Sequence, residues 1–289
     1  MLKTNYSLGF GAGAAAAGNQ ALIDVLTTLG LTTDLKLCLD AGDSSSYSSG
    51  QSWLDRSGGG YDFHFGASDS AASDDPTFNG SSGGLSSAEY MSTDGGDFFE
   101  YDQATPETWM NNMHKNNAII ATACWMFMPS GYTGGEVRWW TTSGGSSTTR
   151  IGTNYRTDYN STYPRLRVGN AGGEFSCLHK IGDTGLDVNA WNFVGYSLNE
   201  GTGSGGGFLY LNGAYNQVSS ADTWTSTYSS PTTSDIGGDP AIMGDARTPG
   251  QSGMVSGGRV AMIAVWEGGT QISKANFDDI YANTNREFR

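Results

Sequence analysis

From Trp191 the chain alternates with period two: Trp191 and Phe193 fall on one face, Val194, Tyr196 and Leu198 on the other. A glycine-rich stretch follows, and then Phe208-Leu-Tyr-Leu211 repeats the aromatic and aliphatic composition. Asn212-Gly213 supplies a turn that tolerates positive φ. The pattern predicts a β-hairpin with an expanded loop. Within that loop, Gly201-x-Gly203-x-x-Gly206 matches the dinucleotide fingerprint by letter. A phosphate site of that kind needs a helix opening directly after the glycines, whereas a strand is expected here.

The same reading extends along the chain. Leu22, Val25, Leu26 and Leu29 recur at helical spacing, with Asn19 as a cap and Gly30 as a stop. Leu35, Leu37 and Leu39 alternate with Lys36 and Asp40, which predicts a strand with its three leucines on one face. Tyr90 to Tyr101 predicts a hairpin turning at Asp94-Gly-Gly-Asp97, and Thr105-Pro106-Glu107 a short helix over 106–114. Ala118 to Met128 is nearly continuous apolar sequence and predicts a central strand. Further strands are expected at 136–141, 165–168, 175–178, 241–243 and 259–266, and a helix over 273–284 capped by Ser273.

Composition narrows the class. With 43 glycines and few charged residues among 289, many short strands joined by Gly/Ser/Thr turns are expected, as in an all-β sandwich. A net charge of −14 argues against nucleic acid, whose phosphates call for Lys and Arg. It suits a neutral partner such as a glycan, or divalent cations. Cys38, Cys124 and Cys177 sit inside apolar runs, without the spacing of a zinc site, and predict buried free thiols. No apolar stretch reaches the length that inserts into a membrane.

Residues 1–20 differ from the rest. Leu8 to Ala17, with four consecutive alanines, loosely imitates a secretory signal but is too poor in large apolar residues. A Gly/Ala arm cannot bury enough apolar surface to offset its own ordering entropy. Residues 1–33 are therefore expected to form an arm with a short helix. It would assemble with other copies or with a larger particle through residues 1–30, using the stripe Leu22, Val25, Leu26 and Leu29.

Residues 34–289 resemble the laminin-G-like, concanavalin-A-like jelly roll. The resemblance is carried by Leu37-x-Leu-Asp-Ala-Gly-Asp43, Trp53-Leu-Asp-x-Ser-Gly-x-Gly60, Asp94-Gly-Gly-Asp-Phe98 and Ala123-Cys-Trp125. Trp191-Asn-Phe-Val194, Leu209-Tyr-Leu-Asn-Gly213 and Gly258-Arg-Val260 through Trp266 complete it. It implies an all-β, antiparallel two-sheet sandwich with short peripheral helices, and glycan or protein binding without catalysis. With its Gly-rich arm and Trp109 helix, the chain is similar to modules on tail fibres or head spikes of bacteriophages and gene transfer agents. That likeness implies a virion surface protein whose jelly roll attaches to a host cell-surface glycan. The alternatives are a secreted or surface lectin module, and a glycoside hydrolase of the same fold.

Candidate chemistry follows from particular residues. In a strand one of Trp139 and Trp140 should point outward. With Trp140 outward, Arg138, Arg150, Tyr155 and Asp158 could join it in stacking a sugar and bonding its hydroxyls. Asp94 and Asp97 could supply oxygens to Ca²⁺, which some members of the family bind, though Asp and Gly also serve turns. Glu100-Tyr-Asp102 is the nearest approach to a glycosidase's paired carboxylates and lacks a third acid. Gly80-Ser-Ser82-Gly-Gly84 has the letters of a nucleophile elbow but neither the strand nor the helix around it. The expected reading is therefore a binding module, not an enzyme.

Overall fold

A computed structural model describes residues 19–115, 117–132, 137–142, 151–157, 162–170, 173–178, 185–199, 206–217, 234–236, 238–244 and 254–288. Two antiparallel sheets face each other, as the alternation requires. The first sheet is built on β7 (Ile119–Met128), flanked by β12 (Ala190–Asn199) and β16 (Arg259–Glu267). It continues through β13 (Gly207–Leu211) and β14 (Ala214–Gln217) on one side. On the other, β16 pairs with β5 (Tyr90–Ser92) at its start and β1 (Leu35–Asp40) along its remainder, and β4 (Thr77–Asn79) forms the edge. The change of partner coincides with a register shift between Val260 and Met262.

The second sheet runs in the order β11 (Gly173–Leu178), β10 (Pro164–Asn170), β9 (Gly152–Thr157), β8 (Arg138–Thr141) and β15 (Ala241–Ile242). It ends with β6 (Phe99–Tyr101), β3 (Phe63–Phe65) and β2 (Ser52–Trp53). This is the two-sheet sandwich expected. The predicted 90–101 hairpin is not formed, because β5 and β6 belong to different sheets. The Asp94–Asp97 turn carries the chain across the sandwich instead of folding it back.

Val194, Tyr196, Leu198, Cys124, Met126, Ile263 and Val265 meet Trp53, Phe63, Phe99, Leu166 and Val168 in the core between the sheets. Trp191 and Phe193 lie on the opposite face of β12, as their alternation predicts. There a second core forms under α1 (Leu22–Thr28), α3 (Lys274–Asn283) and the C-terminal segment. Gly195 makes that packing possible, since a Cβ there would strike the Phe277 ring of α3. Leu35 departs from its predicted face. A bulge between Leu35 and Leu37 turns it towards this second core, away from Leu37 and Leu39. Cys38 and Cys124 are buried free thiols, and burial raises both well above the usual thiol range.

The helices have distinct causes. Ser273 caps α3 reciprocally with Asn276, as a capping box. α2 (Thr108–Asn112) buries Trp109 and Met110. In α1 the N-cap is Ala21, and Asn19 does not cap it. The orphan N–H of Leu22 donates to the distant Asp40 carboxylate (2.8 Å), which also receives the Arg286 guanidinium. Asp40 and Arg286 are 1% and 2% exposed, so one buried ion pair ties strand, helix and C-terminal segment together.

That arrangement corrects the expected role of the α1 stripe. Leu22, Val25 and Leu26 are buried within their own domain, and Leu29 packs beside them. The stripe is already covered, so it is not available to a neighbouring copy. Residues 1–18 of the expected arm lie outside the described residues.

Candidate functional site

The expected sugar platform at Trp140 is not on the surface. Trp139 and Trp140 are both fully buried in the inter-sheet core. The physical reason is a bulge in β8: the register against β9 shifts between Arg138 and Trp140, so two successive indoles turn inward together. Trp140 stacks on Trp109 at 6.0 Å, and Trp139 meets Tyr155 edge-on at 4.8 Å. Tyr155 donates its hydroxyl across the core to the Gly195 carbonyl (2.7 Å). Arg138 lies on the opposite face of β8 and is 2% exposed. Arg150 and Asp158 lie outside the described residues.

Asp94 and Asp97 are used by their turn. The Asp94 N–H donates to Asp97 Oδ2 (2.9 Å) and the Gly96 N–H to Asp94 Oδ1 (3.3 Å). Burial, with Asp94 and Asp75 nearby, pushes the Asp97 carboxyl up to about 6. Among the described residues, no cluster of three or more His, Cys, Asp or Glu is placed to hold a metal ion.

An open site lies elsewhere, on the rim of the first sheet where the β13–β14 hairpin meets the start of α3. Asn212 and Gly213 both adopt positive φ, 51° and 89°, and form the tight turn their sequence predicts. The hairpin thereby presents Tyr215, which is 45% exposed, beside the Phe208 ring at 6.2 Å. Together with Gly206, Gly207, Gln271, Ile272, Ser273 and Lys274 they line an open cleft of about 350 Å³. Gln271 donates to the Gly206 carbonyl (2.8 Å), which fixes the loop preceding α3 against the hairpin. The Lys274 ammonium lies 5.2 Å from the Tyr215 ring centre and is also paired with Asp278. Burial pushes the Asp278 carboxyl up, but bonds from Lys274 and Tyr210 outweigh it and hold it below its usual range. Tyr215, Gln271, Ser273 and Lys274 thus line one cleft, with the Ser273 hydroxyl held in the α3 capping box and the Lys274 ammonium paired with Asp278. Sequence reading missed it because Tyr215 and Lys274 are far apart in the chain.

A second cluster occupies the outward face of the second sheet. Register places His64, Glu100, Ala241, Thr141, Asn154 and Arg167 in one row across six strands. His64 donates through Nδ1 to the Gly66 carbonyl (2.8 Å), since a carbonyl can only accept. Burial first, then the Asp239 carboxyl and its hydrogen bond, then Asp74, push Glu100 up to about 7. A carboxyl so placed keeps its proton near neutrality.

No protein-family model matches the chain, and no curated protein does. Solved structures do. The chain is similar to the botulinum neurotoxin serotype D binding domain (TM-score 0.53, 12% identity), over 86% of this chain and 52% of that one. It spans about half the length of that structure. Domain 4 of AbnA, a GH43 extracellular arabinanase from Geobacillus stearothermophilus solved with arabinotriose, matches with TM-score 0.51 and 11% identity, over 86% and 98% of the two chains. At these identities the likeness is one of fold, an all-β sandwich.

Proposed function

We propose that this chain is a carbohydrate-binding sandwich domain. The observation that carries the reading is Tyr215: a large ring left half exposed in a cleft that Gln271, Ser273 and Lys274 also line. Sugar rings offer apolar C–H faces to an aromatic and hydroxyls to amide, hydroxyl and ammonium groups, so this set suits them. The arabinotriose bound in the structurally similar arabinanase domain supports the same class of ligand. A carbohydrate array with the intact chain and Tyr215→Ala tests it. The expected outcome is binding without turnover that weakens at least about tenfold in the variant, about 1.4 kcal/mol. Unchanged binding in Tyr215→Ala would remove this cleft as the site.

A rival reading, glycoside hydrolysis, is favoured by Glu100, whose raised carboxyl suits a general acid beside Asp239. Cleavage of any array glycan that is lost in Glu100→Gln would establish it. The narrower proposal places the domain on a virion surface, joined to other copies and virion proteins through residues 1–18 and attached to a host glycan. Deleting 1–18 leaves the buried helix α1 intact and should abolish incorporation into particles while sparing glycan binding.

A further inference from the structure

The start of β16 holds a cation in an unusual setting. Arg259 lies on the outward face of the first sheet, in a register row with Ser92 on one side and Phe127 then Trp191 on the other. Its guanidinium carbon sits 4.6 Å from the Tyr90 ring centre and 4.3 Å from that of Phe127. Trp191 meets both rings edge-on at 5.7 Å and fixes the walls. Two aromatic walls therefore hold the planar fork in a defined orientation. Among the described residues no carboxylate lies within 4 Å of Arg259, whereas Arg56 and Arg286 are paired with Asp43 and Asp40. In a chain with 29 acidic and 15 basic side chains, an arginine with aromatic rings and no described carboxylate beside it is conspicuous. Beside it, Asn79 donates to the Ser92 hydroxyl (2.9 Å), so amide and hydroxyl groups border the same surface.

We infer that Arg259 receives the carboxylate of an acidic sugar, a specificity that rests on the carbohydrate reading above. A guanidinium fork pairs a carboxylate through two parallel N–H···O bonds, and clamping it beforehand lowers the ordering entropy on binding. The Tyr90 and Phe127 rings would give the sugar's apolar face a surface beside the charge, and Ser92 and Asn79, whose protons are taken by each other and by the Thr77 carbonyl, would offer acceptors to its hydroxyls. The overall charge of −14 sharpens the class. A polyanion would be repelled by the rest of the surface, so the ligand carries an isolated carboxylate on an otherwise neutral glycan.

The test uses the intact chain and an array of paired glycans, each present as a carboxylate and as its carboxyl-reduced alcohol. The acidic member of the preferred pair should bind at least about tenfold more tightly, and that advantage should shrink as salt is raised. Arg259→Gln should erase the advantage while leaving the alcohol bound at the Tyr215 cleft, and Arg259→Lys should retain part of it. Equal binding of acid and alcohol, or an advantage that survives Arg259→Gln in protein of unchanged melting temperature, would overturn the inference and leave the carbohydrate reading standing. Silence on every pair would overturn both.

Discussion

The two sheets differ on the faces they turn away from their shared core. The first sheet places Trp125, Phe193, Tyr210, Trp266 and Ala264 outward, and α1, α3 and Phe288 cover them. The second sheet places His64, Glu100, Asn154, Arg156 and Arg167 outward on strands whose inner positions are just as apolar as those of the first. One face is thus a second apolar core, and the other is a polar layer on the same pleat, in which His64, Asn154 and Arg156 are themselves buried. The difference teaches where ligands can act. On the first sheet the two proposed sites, at Tyr215 and at Arg259, lie at the margins of that cover. On the second sheet a mostly polar row, with His64, Glu100 and Arg167 as its ionisable members, crosses the strands.

Breaking the cover of the first sheet should have the largest effect. Asp40→Ala leaves the Arg286 charge buried without its partner and removes the acceptor for Leu22, and it should cost about 3–5 kcal/mol. Urea denaturation would read it, and a loss below about 1 kcal/mol would show that the cover is held some other way. Trp140→Ala should cost about as much, or slightly less, about 3–5 kcal/mol, by opening a cavity between the sheets. A variant that keeps its stability but loses a ligand would return Trp140 to the surface.

The second sheet should reveal itself through pH. Glu100 is raised to about 7 from an ordinary 4.5, so the folded state holds its proton where the unfolded chain has lost it. Its contribution is complete below about 4.5 and is lost as pH climbs through about 7, with the Asp97 carboxyl acting in the same direction up to about 6. Glu100→Gln cannot ionise, so its melting temperature relative to the unaltered chain should rise steadily between pH 5 and pH 8. A difference that does not change with pH would mean that Glu100 is solvated like any surface acid. The smallest stability effect belongs to the margin. Tyr215→Ala should move stability by no more than about 0.5 kcal/mol, because the ring is half exposed. A larger loss would make Tyr215 a packing residue and weaken its role as a platform.

Much of this molecule was legible in the residues themselves. Period-two alternation in 191–198, the apolar run 118–128, the Asn212-Gly213 turn and the Ser273 cap all rest on forces acting within a few residues, and each appears as read. Tertiary structure decided which faces meet. A one-residue bulge in β8 turned both Trp139 and Trp140 inward, and another in β1 moved Leu35 to the outer core. Bulges depend on the partner strand, so alternation alone does not reveal them. The Asp94–Asp97 segment was legible as a turn, but which sheet receives the chain after it depends on pairing with β3 and β15. The candidate sites are likewise products of assembly. Tyr215 meets Lys274, and Tyr90 meets Arg259 and Phe127, only once distant strands and a helix have been brought together, because charge, burial and ring contact are set by neighbours in space.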